Sequence, residues 1–202
     1  MIAATILAAG KSTRMGSPKA LLRIGPRTFL QCILETCRAA GLESLVVLEE
    51  MPSYILPDNE LREVTRITND EMRAGPIGSI RSAIRHLEHR ADVRGLLVWP
   101  VDYPLVTLST VRSLVGEDLG ATPIRAPSFR GRRGHPVLFG RTVFDELLAA
   151  PDSKGARAVV RRDSQRVTLV PVDDEWVAAG INTPADYKAM IARLEGTPPK
   201  KK

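Results

Sequence analysis

The stretch Ile6–Leu22, ILAAGKSTRMGSPKALL, decides how this chain is read. Met1–Ala8 forms a short apolar, partly β-branched run that stops at Gly10, the pattern of a buried strand. Gly10-Lys11-Ser12 matches the tail of a Walker A phosphate loop. That loop needs a glycine five positions before its Gly-Lys pair, so that backbone amides can wrap the phosphate. Thr5 stands there, inside the strand, and the match fails on geometry. A different phosphate chemistry fits. Ala8, Ala9 and Gly10 let a ligand approach the backbone closely. Arg14 and Lys19 follow in a loop at the carboxyl end of the strand, where open α/β sheets bind ligands. A guanidinium can grip phosphate bidentately and an ammonium adds a compact charge, so the pair can neutralise a triphosphate and stabilise departing pyrophosphate. Lys11 is expected to point to solvent.

Outward from this loop, strand and helix alternate. Thr28–Gly41 reads as a helix with Phe29, Ile33 and Leu34 on one face, and Leu45–Leu48 as a second buried strand. Pro52–Asn59 reads as a loop and Val64–Thr68 as a strand, followed by an amphipathic helix over Ser79–His89. Gly95–Trp99 is another apolar strand, and Thr107–Val115 another helix. The alternation predicts a mostly parallel sheet with helices on both faces, a three-layer α/β sandwich. The later part is less regular. Ala121–Arg133 suits a strand or hairpin, Arg141–Ala149 and Lys154–Arg162 are helical, Val167–Val172 is a strand, and Thr183–Leu194 closes as a helix. No repeat or linker is evident, so one domain is expected over residues 1–196, with a basic flexible tail at 197–202.

The 202 residues are 44% hydrophobic and 26% charged, the balance of a folded protein. Aromatics make up only 4%, which argues against a base-stacking single-strand binder. Net charge is +6, and much of it lies near glycines, in Arg14, Lys19, Arg23, Arg130, Arg132 and Arg133. That distribution favours a phosphorylated small ligand over nucleic acid. Cys32 and Cys37 would point to different sides of a helix and are read as buried thiols; His86 and His89 lack a further ligand and are read as surface residues. No run is long enough to span a bilayer, no secretory pattern precedes the first strand, and the cytoplasm is the expected compartment. Asp102 follows an apolar strand, where a carboxylate can hold Mg²⁺ against phosphate oxygens. Thr183 with Pro184 makes a good helix start, as do Gly75, Gly78 and Ser79.

The spacing from Leu7 to Lys19 closely resembles the signature loop of the MobA-like NTP transferases, and within them most resembles the molybdenum cofactor cytidylyltransferases. Further blocks follow along the chain, so the resemblance runs from residue 2 to about 195. PVDYPLV (100–106) is similar to the family's Gly-Asp-x-Pro-Leu segment, whose Asp carries the metal; Val101 replaces the usual glycine. NDEMRAGPIGSIRSAI (69–84) resembles the segment that approaches base and ribose, with Pro76 and Gly78 where the subgroup more often has Met and Ser. AGINTPADY (179–187) resembles the Asp-Thr-Pro-Glu-Asp segment, with Asn182 in place of the leading Asp; an amide oxygen is a competent hard ligand but brings no charge. RGRRGHPVLFG (130–140) resembles the subgroup's Arg-Gly-His-Pro-Val block, and PDSKGAR (151–157) matches a further subgroup feature.

The resemblance implies a Rossmann-like nucleotidyltransferase fold and transfer of a nucleotidyl group from a triphosphate to a terminal phosphate, with pyrophosphate released. It assigns Arg14, Lys19 and Asp102 to catalysis, and Leu7, Ala8, Ala9, Gly10, Lys19, Asn69, Gly75 and Ser79 to the nucleotide. Arg133, Gly134 and His135 fall to the phosphorylated, molybdopterin-like acceptor, and Asp102 with Asn182 to Mg²⁺. The Ala8-Ala9 pair looks like the CTP-using subgroup, since GTP-using relatives tend to carry a glycine pair. A molybdoenzyme or chaperone is the implied recipient of the product, and neither nucleic acid nor membrane is an expected partner. Two alternatives remain open: a sugar- or alcohol-phosphate nucleotidyltransferase, and a non-catalytic nucleotide-binding accessory protein for molybdoenzymes.

Overall fold

The computed structural model describes residues 1–10, 15–48, 64–116, 119 and 122–196. Lys11, Arg14, the 52–59 loop and the 197–202 tail lie outside the described residues. The first strand, β1 (Ile2–Leu7), sits in mid-sheet, paired in parallel with β4 (Glu43–Leu48) and β6 (Gly95–Pro100). β5 (Val64–Thr68) extends the sheet beyond β4, again in parallel. On the other side β9 (Val137–Gly140) runs antiparallel to both β6 and β7 (Ile124–Phe129). β10 (Val167–Pro171) pairs in parallel with β7, giving the order β10-β7-β9-β6-β1-β4-β5, with β8 (Arg132–Arg133) hairpinned onto β7. The expected mostly parallel α/β sandwich is therefore present, with β9 and β8 reversed.

Alternate residues of the strands feed two cores. Ile2, Ala4, Ile6, Val46, Leu97 and Trp99 meet Phe29, Leu30 and Ile33 of α1 (Phe29–Ala39), together with α3 (Leu108–Val115) and α6 (Pro184–Leu194). The opposite face, with Ala3, Leu45, Val47, Leu96 and Val98, meets Ile77, Ile80 and Ile84 of α2 (Pro76–His86), α4 (Phe144–Leu148) and α5 (Ala156–Arg162). Period-two strands buried on both sides account for the near-continuous apolar runs in the sequence. The helices start where their caps dictate. Thr28 and Gln31 form a reciprocal capping box for α1, and Thr183 with Asp186 does the same for α6.

The structure moves one helix boundary, adds one hairpin and resolves the expected strand or hairpin at 121–133. The helix expected from Ser79 starts at Pro76, because proline at the first helical position supplies the right φ and needs no amide donor. It stops at His86, and both His86 and His89 are exposed as expected. β2 (Arg23–Ile24) and β3 (Arg27–Thr28) form an extra hairpin of two residues per strand around Gly25-Pro26, too short for any alternation to announce it. The Ala121–Arg133 region resolves into β7 and β8 joined by Arg130-Gly131, both at positive φ, the requirement of a tight hairpin turn.

Cys32 and Cys37 are both buried free thiols. Burial pushes the Cys37 thiol up to about 12, with only a partial offset from Ser44. At pH 8 its thiolate fraction is then about one in ten thousand. A thiol-specific chromophoric reagent should leave Cys37 unmodified in the native protein at pH 8 and label both cysteines after unfolding in guanidinium. Rapid labelling of both in the native state would contradict the burial.

Candidate active site

The carboxyl ends of β1 and β6 lie side by side, tied beyond the strands by Val101 N–H donating to the Leu7 carbonyl at 3.2 Å. Asp102 is thereby set at the head of the sheet. Lys19 opens a short 3-10 turn, Lys19–Leu21, anchored by buried Ala20 and by Leu22 N–H on the Lys19 carbonyl. Its ammonium reaches Asp102 Oδ2 at 3.4 Å and Asn182 Oδ1 at 2.8 Å. Asn182 comes from the segment before α6, and Ile181 N–H donates to the Asp102 carbonyl at 2.9 Å. Its side-chain amide is oriented by Nδ2 donating to the Gly180 carbonyl, which turns Oδ1 toward Lys19. Positions 19, 102 and 182 thus converge on one point, with the Lys19 and Asp102 side chains 16% and 18% exposed.

Asp186 supports this point and was not among the expected site residues. Its carboxylate accepts from Asn182 N–H at 2.9 Å and Thr183 N–H at 2.8 Å. The Asn182 amide above all, then Thr183 and the Lys19 charge, holds it below the usual carboxylate range against the opposing effect of burial. The signal for it was the capping-box spacing Thr183-x-x-Asp186.

Other expected residues divide into those facing the open end and those spent on structure. Leu7 lines a pocket of about 740 Å³ beside the cluster. Ala8 and Ala9 are half-buried, and no described atom lies within 4 Å of where a Cβ on Gly10 would stand. Asn69 and Ser79 do meet, but on each other: Asn69 Nδ2 donates to Ser79 Oγ at 3.0 Å, and Asn69 Oδ1 accepts from Glu71 N–H. Both are buried, at 4% and 3% exposure, and they brace the turn leading to Gly75, which caps α2. Gly78, in the first turn of α2, packs against that turn, since a Cβ there would meet the Glu71 carbonyl oxygen at 2.4 Å.

Arg133, Gly134 and His135 enter the same pocket from the link between β8 and β9. Gly134 N–H donates to the Pro127 carbonyl and His135 N–H to the Val177 carbonyl, both at 2.8 Å. The His135 ring lies 4.8 Å from that of Tyr103, and its Nδ1 is buried without a hydrogen-bond partner among the described residues. Burial lowers the imidazole pKa; the Asp102 carboxylate opposes that shift and Arg157 adds to it, so the ring is neutral at pH 7.

The donor set at the cluster fits a divalent cation such as Mg²⁺. Asp102 and Asn182 offer one carboxylate and one amide oxygen, both hard, and leave the remaining positions for phosphate and water. No group of three His, Cys, Asp or Glu that could hold a metal ion occurs among the described residues. No helix among them is long and apolar enough to cross a membrane.

Residues 4–167 match the model of the MobA-like NTP transferase domain. The chain belongs to this family. It is similar to the molybdenum cofactor guanylyltransferase of Xanthomonas euvesicatoria, at 33% identity over 92% of each chain. It is also similar to the probable molybdenum cofactor guanylyltransferase of Opitutus terrae, at 27% identity over 92% of each. Among solved structures, Rv0371c from Mycobacterium tuberculosis superimposes with a TM-score of 0.78 at 28% identity, covering 95% of this chain and 98% of that one. The same protein has been solved in complex with manganese.

The MobA-like framework leaves no room at position 134. A Cβ there would lie 2.1 Å from the Val177 carbonyl oxygen, which itself holds His135. Gly134→Ala should therefore cost roughly 1–3 kcal/mol, as overpacking against backbone does. Thermal unfolding should show a Tm several degrees lower; an unchanged Tm would contradict the close approach.

Proposed function

We propose that the chain transfers a nucleotidyl group from a nucleoside triphosphate, CTP, to the terminal phosphate of a molybdopterin-type acceptor. The acceptor's phosphate oxygen attacks the α-phosphorus, the bond between that phosphorus and the bridging oxygen breaks, and pyrophosphate leaves with the electron pair. The observation that carries the reading is the Lys19 ammonium between Asp102 and Asn182, at the head of the strands that carry the Leu7–Gly10 backbone. The reaction needs no protein nucleophile or base, because the attacking oxygen is already anionic. Its demands are alignment and charge neutralisation.

Lys19 then moves its charge from the Asp102 carboxylate toward the departing pyrophosphate, with Arg14 assigned the same task from the signature loop. Asp102 and Asn182 would hold Mg²⁺, which when bound neutralises phosphate oxygens. Supporting the acceptor class are the molybdenum cofactor guanylyltransferases among the relatives. Those names also favour GTP as donor, a second reading; Ala8-Ala9, in place of the glycine pair, favours CTP. With neither nucleic acid nor membrane as partner, the expected setting is the cytoplasm, where a molybdoenzyme or chaperone would receive the product.

Pyrophosphate release with CTP, GTP, ATP and UTP, each with Mg²⁺ and a molybdopterin-type acceptor, tests the reading. CTP should be preferred; a preference for GTP would transfer the assignment to the guanylyl class, and silence with all four would overturn it. Lys19→Ala should lower turnover on the order of a hundredfold or more, as loss of one charge-stabilising donor does. Near-normal turnover would remove Lys19 from the mechanism. Asn182→Asp adds a second carboxylate at the cluster and should tighten Mn²⁺ binding on the order of tenfold by calorimetry. Unchanged or weaker binding would place the cation elsewhere.

A further inference from the structure

A carboxylate shows a cation the same oxygen whichever way it turns, whereas an amide has an acceptor end and a donor end. At position 182 only one of the two rotations is satisfied. Asn182 Oδ1 accepts from the Lys19 ammonium at 2.8 Å, and Nδ2 donates to the Gly180 carbonyl at 3.2 Å. Turned over, the side chain would set its NH2 against an ammonium and its oxygen against a carbonyl oxygen, two repulsive pairs in place of two bonds. The Lys19 half of that selection disappears once the ammonium turns to a phosphate. The Gly180 carbonyl then has to hold the amide alone, and its own position becomes decisive.

Tyr103 sets that position. Its backbone is fixed on both sides: the N–H donates to the Pro100 carbonyl at 3.2 Å, and the carbonyl accepts from Nε1 of the fully buried Trp99 at 3.0 Å. The phenol head lies where a side chain at 180 would be. A Cβ on Gly180 would stand 2.9 Å from both Cζ and Oη of Tyr103, and 3.2 Å from Asn182 Nδ2. The other contact of the ring is the His135 imidazole, 4.8 Å away between centroids. The strap from Val177 to Asn182 is tied at one end by His135 N–H on the Val177 carbonyl, and near the other by Ile181 N–H on the Asp102 carbonyl. Between those two ties the phenol ring fills the space against Gly180.

We infer that Tyr103 is a positioning residue: its ring, seated on Gly180, keeps the Asn182 amide oxygen aimed at the cation site. Glycine at 180 is the counterpart of the ring, because any side chain there would displace both the phenol and the amide. The clamp serves an asparagine only. An aspartate at 182 has two equivalent oxygens and no donor for the Gly180 carbonyl, so the ring has nothing to select. That a divalent cation binds between Asp102 and Asn182 rests on the nucleotidyl-transfer reading; the orientation of the amide does not.

Two measurements on the full chain test this. The first is calorimetric titration with Mn²⁺. Tyr103→Ala should weaken binding on the order of tenfold or more, as losing a group that orients a metal ligand does, while Tyr103→Phe keeps the ring and should stay within about twofold of the wild type. Combined with Asn182→Asp, Tyr103→Ala should change binding by less than about twofold relative to Asn182→Asp alone. An equal loss in both backgrounds would signal a general disturbance around Asp102 and overturn the inference, as would full binding by Tyr103→Ala. The second measurement needs no metal. In an isotope-labelled chain, the Asn182 side-chain amide resonance is identified by its loss in Asn182→Asp. Its solvent exchange should be on the order of tenfold faster in Tyr103→Ala than in the wild type or Tyr103→Phe. Equal exchange in all three would overturn the inference. Tyr103→Leu, which keeps more buried area, takes the place of Tyr103→Ala in both measurements should the alanine variant lose its native circular dichroism spectrum. Absence of Mn²⁺ binding in the wild type and Asn182→Asp, with the exchange result intact, would instead overturn the cation reading alone.

Discussion

The arrangement depends on one ammonium group. Lys19 Nζ meets a carboxylate from just beyond β6 and an amide oxygen from the approach to α6. With its partners mostly shielded from water, the charge would be costly to leave alone, and a pair broken on one side is strongly destabilising. Backbone bonds do the coarse positioning. Val101 to Leu7 and Ile181 to Asp102 set the frame, and the side chains then need only rotamer choice. Such a centre is electrostatic and preorganised, which suits a reaction whose charge shifts from one phosphate to the next.

A second carboxylate, Asp174, holds the far wall. It is 4% exposed and accepts from Thr107 N–H, the hydroxyls of Thr107 and Thr110, and Trp176 N–H. One carboxylate thus anchors Thr107, the N-cap of α3, and caps the turn through Val177, whose carbonyl takes the His135 amide. Burying a carboxylate satisfied this fully is inexpensive, and it ties the position of α3 to the His135 segment.

Much of this was legible in the residues. The buried strands announced themselves as apolar runs, and Thr28 and Thr183 marked helix starts. The hairpin at 23–28 was hidden, because two residues per strand carry no alternation. Gly75, Gly78 and Ser79 read as a helix entry with the helix itself from Ser79, yet it starts at Pro76, where proline serves the first helical position, and Gly78 admits the Glu71 carbonyl. The reversal of β9 left no mark, since a buried antiparallel strand has the same apolar run as a parallel one. In the site, Lys19 and Asp102 could be argued from strand ends. Asn182 came only through resemblance, for no spacing rule links positions 163 residues apart. Asn69 and Ser79 illustrate the opposite limit: polar residues at a helix start can be needed by the fold itself.

That long separation has a temporal side. Chains emerge from the ribosome at about 5–20 residues per second, so the Lys19 ammonium exists for roughly 8–33 s before the amide 163 residues downstream has been made. β1 waits for β6 in the same way, although β4 reaches it far sooner. Partial chains just long enough for the β1–β4–β5 side of the sheet contain neither Asp102 nor Asn182. The Lys19 cluster closes only once residue 182 has joined the chain.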